Sequence, residues 1–190
     1  MTEENIFFDT KKLKYRGINV VIGKTARIRY PELVELHDNV IVDDFVYISC
    51  GLIMKEHSFI ESNCTLMGGK NFKITMGKHS LISAGSMVVC TGIDFKNSLQ
   101  INHNKDLLTF KNPGDIDIKD HVMIGAHCTI MPNITISTGI RIGAYGFVNK
   151  NLSDEWSLYT GIPVEKTGIV NKVAVLEKYN LYQQRITHNV

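Results

Sequence analysis

Between Ile118 and Val148 an apolar residue returns at every sixth position: Ile118, Ile124, Ile130, Ile136, Ile142 and Val148 are all β-branched. Four residues after each of the first five stand Val122, Cys128, Ile134, Ile140 and Gly146, again small or apolar. Neither the period of about 3.6 of a helix nor the alternation of a lone strand produces this spacing. A period of six belongs to a solenoid whose coils are short strands joined at corners. Alternate side chains of a strand point the same way, so the small residue and the aliphatic residue opening the next hexad face one interior. Three hexads close a triangular coil, and stacked coils pair their strands along the shaft.

The same frame runs upstream. Leu36, Val42, Ile48, Met54, Ile60 and Leu66 are spaced by six, with Val40, Val46, Leu52, Ser58 and Cys64 at the companion positions. Val20 to Ile22, Ala26 and Ile28 open the array, and Tyr30-Pro31 interrupts it. At Gly68-Gly69-Lys70-Asn71 the frame slips by four residues before Met76, Ile82 and Val88 restore it. Lys70 falls where a small inward residue is expected, which predicts an outward bulge. After Cys90-Thr91-Gly92 the pattern stops, and residues 93–117 carry no hexad. Three sides precede this stretch and a first side follows, so it should leave and rejoin the shaft at one corner, with Ile118 above Met76 and His121 one rung above His79. Long irregular insertions in compact domains are usually functional.

These boundaries divide the chain into a lead-in or cap at 1–19, a shaft at 20–152 with the loop 93–117 inserted, and an extension at 153–190. Ile6, Phe7 and Phe8 are expected to cover the open end of the solenoid. In the extension, Val175, Leu176, Tyr179 and Tyr182 share one stripe of a short helix.

Composition narrows the function. The chain has 190 residues and 44% apolar content, enough for one continuous core. Its 21 basic and 19 acidic residues form no basic run, so nothing recommends a nucleic-acid or membrane partner. The opening Met-Thr-Glu-Glu-Asn has no basic and apolar leader, and the expected location is the cytoplasm. Cys64 and Cys128 fall at inward positions and Cys50 and Cys90 at corners, each pair two rungs or roughly 10 Å apart, beyond disulfide reach. Four reduced thiols without a Cys-x-x-Cys motif suit a reducing compartment.

Several motifs add to the repeat: Pro31-Glu32 followed by Val42-Asp43-Asp44-Phe45, Leu66-Met67-Gly68-Gly69, Thr91-Gly92-Ile93-Asp94-Phe95, Lys119-Asp120-His121-Val122-Met123-Ile124-Gly125-Ala126, Ile130-Met131-Pro132-Asn133, and Trp156 to Pro163. In this order they resemble the hexapeptide-repeat acyltransferases, and among them the sugar O-acetyltransferases of polysaccharide biosynthesis. The resemblance covers nearly the whole chain. It implies an all-β, left-handed parallel β-helix that forms a homotrimer, with acetyl-CoA as acyl donor in the groove between shafts and a sugar or sugar nucleotide as acceptor. It places Gly125, Ala126, Gly143, Ala144, Gly161, Pro163 and Lys166 along the donor. The family's Gly-x-Pro-Ala-Lys stands here as Gly161-Ile162-Pro163-Val164-Glu165-Lys166, which puts a carboxylate near a phosphate-rich molecule.

The chemistry needs a base for the attacking group, and a neutral imidazole suits it. His121 matches the family's histidine beside the returning loop, His103 lies within the loop, and Asp94 is the expected carboxylate partner, with a turn cap as its structural alternative. No metal is required. A zinc hydratase on a related β-helix would need three converging histidines, whereas His121 and His127, one hexad apart, occupy different faces. Two further readings are N-acetyl transfer to a nucleotide-linked amino sugar and a non-catalytic trimeric scaffold.

Overall fold

The computed structural model describes residues 5–99 and 110–187. Its strands stack as about seven coils of a left-handed β-helix with three faces. The first face carries β2 (Val21–Ile22), β5 (Ile41–Val42), β7 (Phe59–Ile60), β9 (Leu81–Ile82), β12 (Met123–Ile124), β15 (Arg141–Ile142) and β17 (Ser157–Gly161). The second holds β3 (Arg27–Ile28), the starts of β6 (Tyr47–Met54) and β8 (Thr65–Met76), β10 (Met87–Val89), β13 (Thr129–Ile130) and β16 (Phe147–Val148). The third holds β1 (Tyr15–Arg16), β4 (Val34–Leu36), the ends of β6 and β8, β11 (Ile116–Ile118) and β14 (Thr135–Ile136).

Register follows the hexads. Ile118 pairs with Met76, and Ile124 stands between Ile82 and Ile142. The six aliphatic residues from Ile118 to Val148 are at most 3% exposed. Where the small inward position holds serine, the hydroxyl finds a backbone acceptor: Ser58 donates to the Lys55 carbonyl, Ser80 to that of Gly77 and Ser86 to that of Gly125. Burying a hydroxyl without such a bond would cost about 1–3 kcal/mol.

The corners are built from residues in the left-handed region. Between the third and first faces they form a column of Asn19, Asn39, His57, His79, His121, Gly139 and Trp156, with φ from 54° to 73°. The His79 amide donates to the Glu56 carbonyl and the His121 amide to that of Lys78, linking successive coils. A second column, between the first and second faces, comprises Phe45, Asn63, Gly85, His127 and Tyr145.

The irregular segments leave the shaft as their sequence requires. In β8, Gly69 lies opposite Cys50 and Lys73 opposite Gly51, so residues 70–72 bulge out. The loop after β10 departs and returns at one corner, because Ile93 bridges Phe110 and the Lys111 amide donates to the Gly92 carbonyl.

Three expectations need correction. The shaft begins with β1, whose Tyr15 and Arg16 pair with Glu35 and Leu36, inside the expected lead-in. Ile6 and Phe7 remain 59% and 53% exposed, and Phe8 alone of the three packs on the core. At the other end β17 adds a rung beyond residue 152 and folds back through the antiparallel β18 (Val164–Ile169). Cys50 and Cys90 fall at the corner between the second and third faces, where the hexads put them. Both are buried and flank Gly68, whose missing side chain leaves the space they fill.

The helix α1 (Lys172–Thr187) follows the hairpin and runs back down the shaft along the histidine column. Tyr179 sets its ring edge-on against His79 and His121, and Tyr182 does the same against His57 and His79.

Candidate active site

His121 lies where the hexad register puts it, one rung above His79, and its surroundings are aromatic. The His79 ring is parallel to it, Trp156 lies tilted on it at 5.9 Å between centroids, and Tyr179 meets it edge-on at 5.6 Å. Burial lowers the pKa of His121, opposed by the nearby Asp120 carboxylate. Burial pushes His79 further, to about 4, helped by the adjacent His57 and His121 rings. Burial thus favours the neutral form of both the His79 and the His121 rings. Arg141 donates to the His121 carbonyl, tying that corner to β15.

Asp94 occupies the root of the excursion loop, at the corner between the second and third faces. Its carboxylate accepts from Asn97 Nδ2 at 2.6 Å and from the Lys96 amide at 3.0 Å. These bonds, the side chain of Asn97 first, hold its pKa below the usual carboxylate range. The turn-cap role is thus real. A carboxylate has about four lone-pair sites, however, and these two donors leave acceptor capacity for a substrate. Asn97 is a partner that sequence reading missed, although its spacing of three from Asp94 is a turn signature. His103 lies outside the described residues.

The residues expected along the acyl donor gather at the corner between the first and second faces, except Lys166, which lies opposite Tyr159 on the first face. Gly125 sits beneath Ala144, since a Cβ on it would come within 2.6 Å of the Ala144 nitrogen, and Gly143 sits beneath Thr160 in the same way. Gly161 and Pro163 form the tip of the β17–β18 hairpin, joined through a cis Ile162–Pro163 bond. The carboxylate of Glu165 is paired with Lys150 at 2.8 Å, so its charge is partly neutralised, while Lys166 pairs with Asp154 at 3.0 Å.

The fold therefore brings most of the residues expected along the donor together but separates them from both other candidates. Asp94, His121 and the Gly125 to Pro163 group belong to three different corners of one triangle. What the hexads do not disclose is the cover on His121. Trp156 and Tyr179 come from the extension, beyond the reach of the repeat. Among the described residues no group of three His, Cys, Asp or Glu side chains is placed to hold a metal ion, and no helix is long and apolar enough to cross a membrane.

No protein-family model matches the sequence, nor does any curated protein. Solved structures do. AntD, an N-acyltransferase from Bacillus cereus in complex with dTDP and 3-hydroxybutyryl-CoA, matches with a TM-score of 0.86 and 30% identity over 97% of this chain and 100% of that one. A serine-to-cysteine variant of AntD in complex with dTDP-4-amino-4,6-dideoxyglucose and coenzyme A gives a TM-score of 0.83 and 31% identity over 95% and 100%. A hexapeptide-repeat acetyltransferase from Vibrio cholerae shares the fold at a TM-score of 0.54 and 16% identity, over 85% of this chain and 77% of that one. A left-handed β-helix of this register, related to AntD along its whole length, defines an acyltransferase. The chain belongs to the hexapeptide-repeat acyltransferases.

Proposed function

We propose that the chain transfers an acyl group from a coenzyme A thioester to the amine of a nucleotide-linked amino sugar. The carrying observation is the likeness to AntD over nearly every residue of both chains, together with the dTDP, amino sugar nucleotide and CoA species in that protein's complexes. Nothing comparable supports the sugar hydroxyl expected from sequence.

The acceptor nitrogen attacks the thioester carbonyl carbon, the C–S bond breaks, and CoA leaves as a thiolate that takes up a proton. The nitrogen becomes positively charged on attack and has to shed a proton, which is a mild demand on the protein. Asp94, ionised and aimed by Asn97, is the acceptor for that proton. His121 is better explained as one ring of the corner column that carries α1.

Gly125, Ala126, Gly143 and Ala144 present almost no side chain, which lets an extended donor approach the backbone, with Gly161, Pro163 and Lys166 above. Because this corner and Asp94 lie on different edges of one shaft, a site using both must form between copies. The outward residues Val21, Ile41 and Met123 on the first face, 37–42% exposed, offer an apolar row for that contact. A three-fold heterologous contact closes into a ring.

The test is thiol release from acetyl-CoA and 3-hydroxybutyryl-CoA in the presence of dTDP-4-amino-4,6-dideoxyglucose or its 4-hydroxy counterpart. Release with the amine alone supports the reading. Release with the hydroxyl compound alone, or with neither, sinks it.

A further inference from the structure

One aromatic feature lies outside everything assigned so far. At the corner between the first and second faces, the rings of His127 and Tyr145 are stacked, 5.1 Å between centroids and 17° from parallel. His127 in turn rests on Gly85, where a Cβ would come within 2.5 Å of its Nδ1 and Cε1. Tyr145 ends the pile and stays 64% exposed.

The backbone makes this arrangement costly. His127 and Tyr145 have φ of 56° and 61°, a region where a bulky side chain is an outlier and where strain points to a function. A ring is not required there: Phe45 takes the same corner with φ of 60°, but Asn63 fills it in the next coil with φ of 61°, and asparagine also serves at Asn19, Asn39 and Asn133. A face-exposed, rigid ring directly after Ala144, and two residues after Gly143, instead suits a flat ligand group lying along that edge. Every nucleobase has such a face, and stacking on an aromatic side chain tolerates any of them.

We infer that Tyr145, backed by His127 and seated on Gly85, is a stacking platform for a nucleobase. This rests on the reading that the chain binds a coenzyme A thioester and a sugar nucleotide, which supply the two candidate bases, a purine and a pyrimidine. Adjacency to Gly143 and Ala144 favours the purine of the acyl donor.

Tyr145→Asn and His127→Asn test it, because asparagine keeps the corner conformation used elsewhere in the shaft and so preserves the fold. Calorimetric titration with CoA and, separately, with dTDP reads binding without turnover. The expected result is a Kd about tenfold higher for one of the two in Tyr145→Asn, with less than twofold change in Tyr145→Phe, since stacking and not the hydroxyl is at work. A rise for CoA identifies the donor's base, and a rise for dTDP the acceptor's. Both Kd values within twofold of the unsubstituted protein would overturn the platform while leaving the acyltransfer reading intact. If the unsubstituted protein binds neither molecule, both fall together.

Discussion

The imidazoles of His79 and His121 lie 5.4 Å apart and within 6° of parallel. Trp156 takes the other side of His121 and Tyr179 meets its edge, so the ring is half-buried among aromatic neighbours. His121→Asn, which keeps the left-handed corner, should leave kcat within about threefold and cost about 0.5–1.5 kcal/mol in urea unfolding, the worth of an aromatic pair. A loss of kcat of about 10²-fold or more, with the fold intact, would return the proton-accepting role to His121.

Asp94 carries the opposite expectation. Asp94→Asn retains much of the turn but cannot take a proton, so kcat should fall by about 10²- to 10⁴-fold while CoA affinity stays unchanged. Comparing steady-state kcat with a CoA titration separates the two quantities. A variant with full turnover would leave Asp94 as a turn cap only.

His79 makes stability depend on pH. Its folded pKa of about 4 lies below the ordinary value of 6.5, so between these limits the unfolded chain binds more protons than the folded one. Stability from this group is therefore complete above about pH 6.5, declines as the solution is acidified towards pH 4, and loses nothing more below that. Solvent screening of the half-buried ring keeps the slope under about 1.4 kcal/mol per pH unit. Thermal melts at pH 7 and pH 4.5 should show a smaller difference for His79→Asn than for the unsubstituted chain. Equal differences would mean that the imidazole titrates normally.

Two glycines should behave in contrasting ways. Gly139 has a φ of 73°, and a Cβ there would come within 2.4 Å of Trp156 Cδ2. Gly139→Ala should therefore destabilise by about 2 kcal/mol or more and loosen the contact of Trp156 with His121. Gly92→Ala meets nothing within 4 Å and has no positive φ, so it should lie within about 0.5 kcal/mol of the original. Denaturant midpoints decide both.

The shaft was legible to the residue. Hexad counting placed Ile118 on Met76 and His121 above His79, put an outward bulge at Lys70, and brought the loop back to its own corner. This works because the inward position of each strand tolerates so few side chains. The ends were less legible. Tyr15 and Arg16 pair as a strand with both side chains exposed, so no apolar residue marks the rung. The surroundings of His121 were hidden for a related reason: register assigns a residue to a column but is silent about what packs on the outside. Tyr179 and Tyr182 show only a helical stripe until the helix is laid on the rings. The acceptor's chemistry is not written in the repeat at all, because an amine and a hydroxyl ask almost the same of the shaft.

The seating of α1 on the histidine column has a geometric limit. A helix advances about 5.4 Å per turn and the coils about 4.8 Å per rung, so the two scales drift by roughly 0.6 Å with each turn. They act as a vernier. Graduations that coincide at Tyr179 and Tyr182 fall half a rung out of step after about four turns, and α1, at 16 residues, spans little more than that. Extending the helix would set new side chains between the rings, not on them. A one-residue insertion before Tyr179 would swing both tyrosines about 100° off the column. The shaft thus works as a ruler that admits one phase of the helix and only a short length of it.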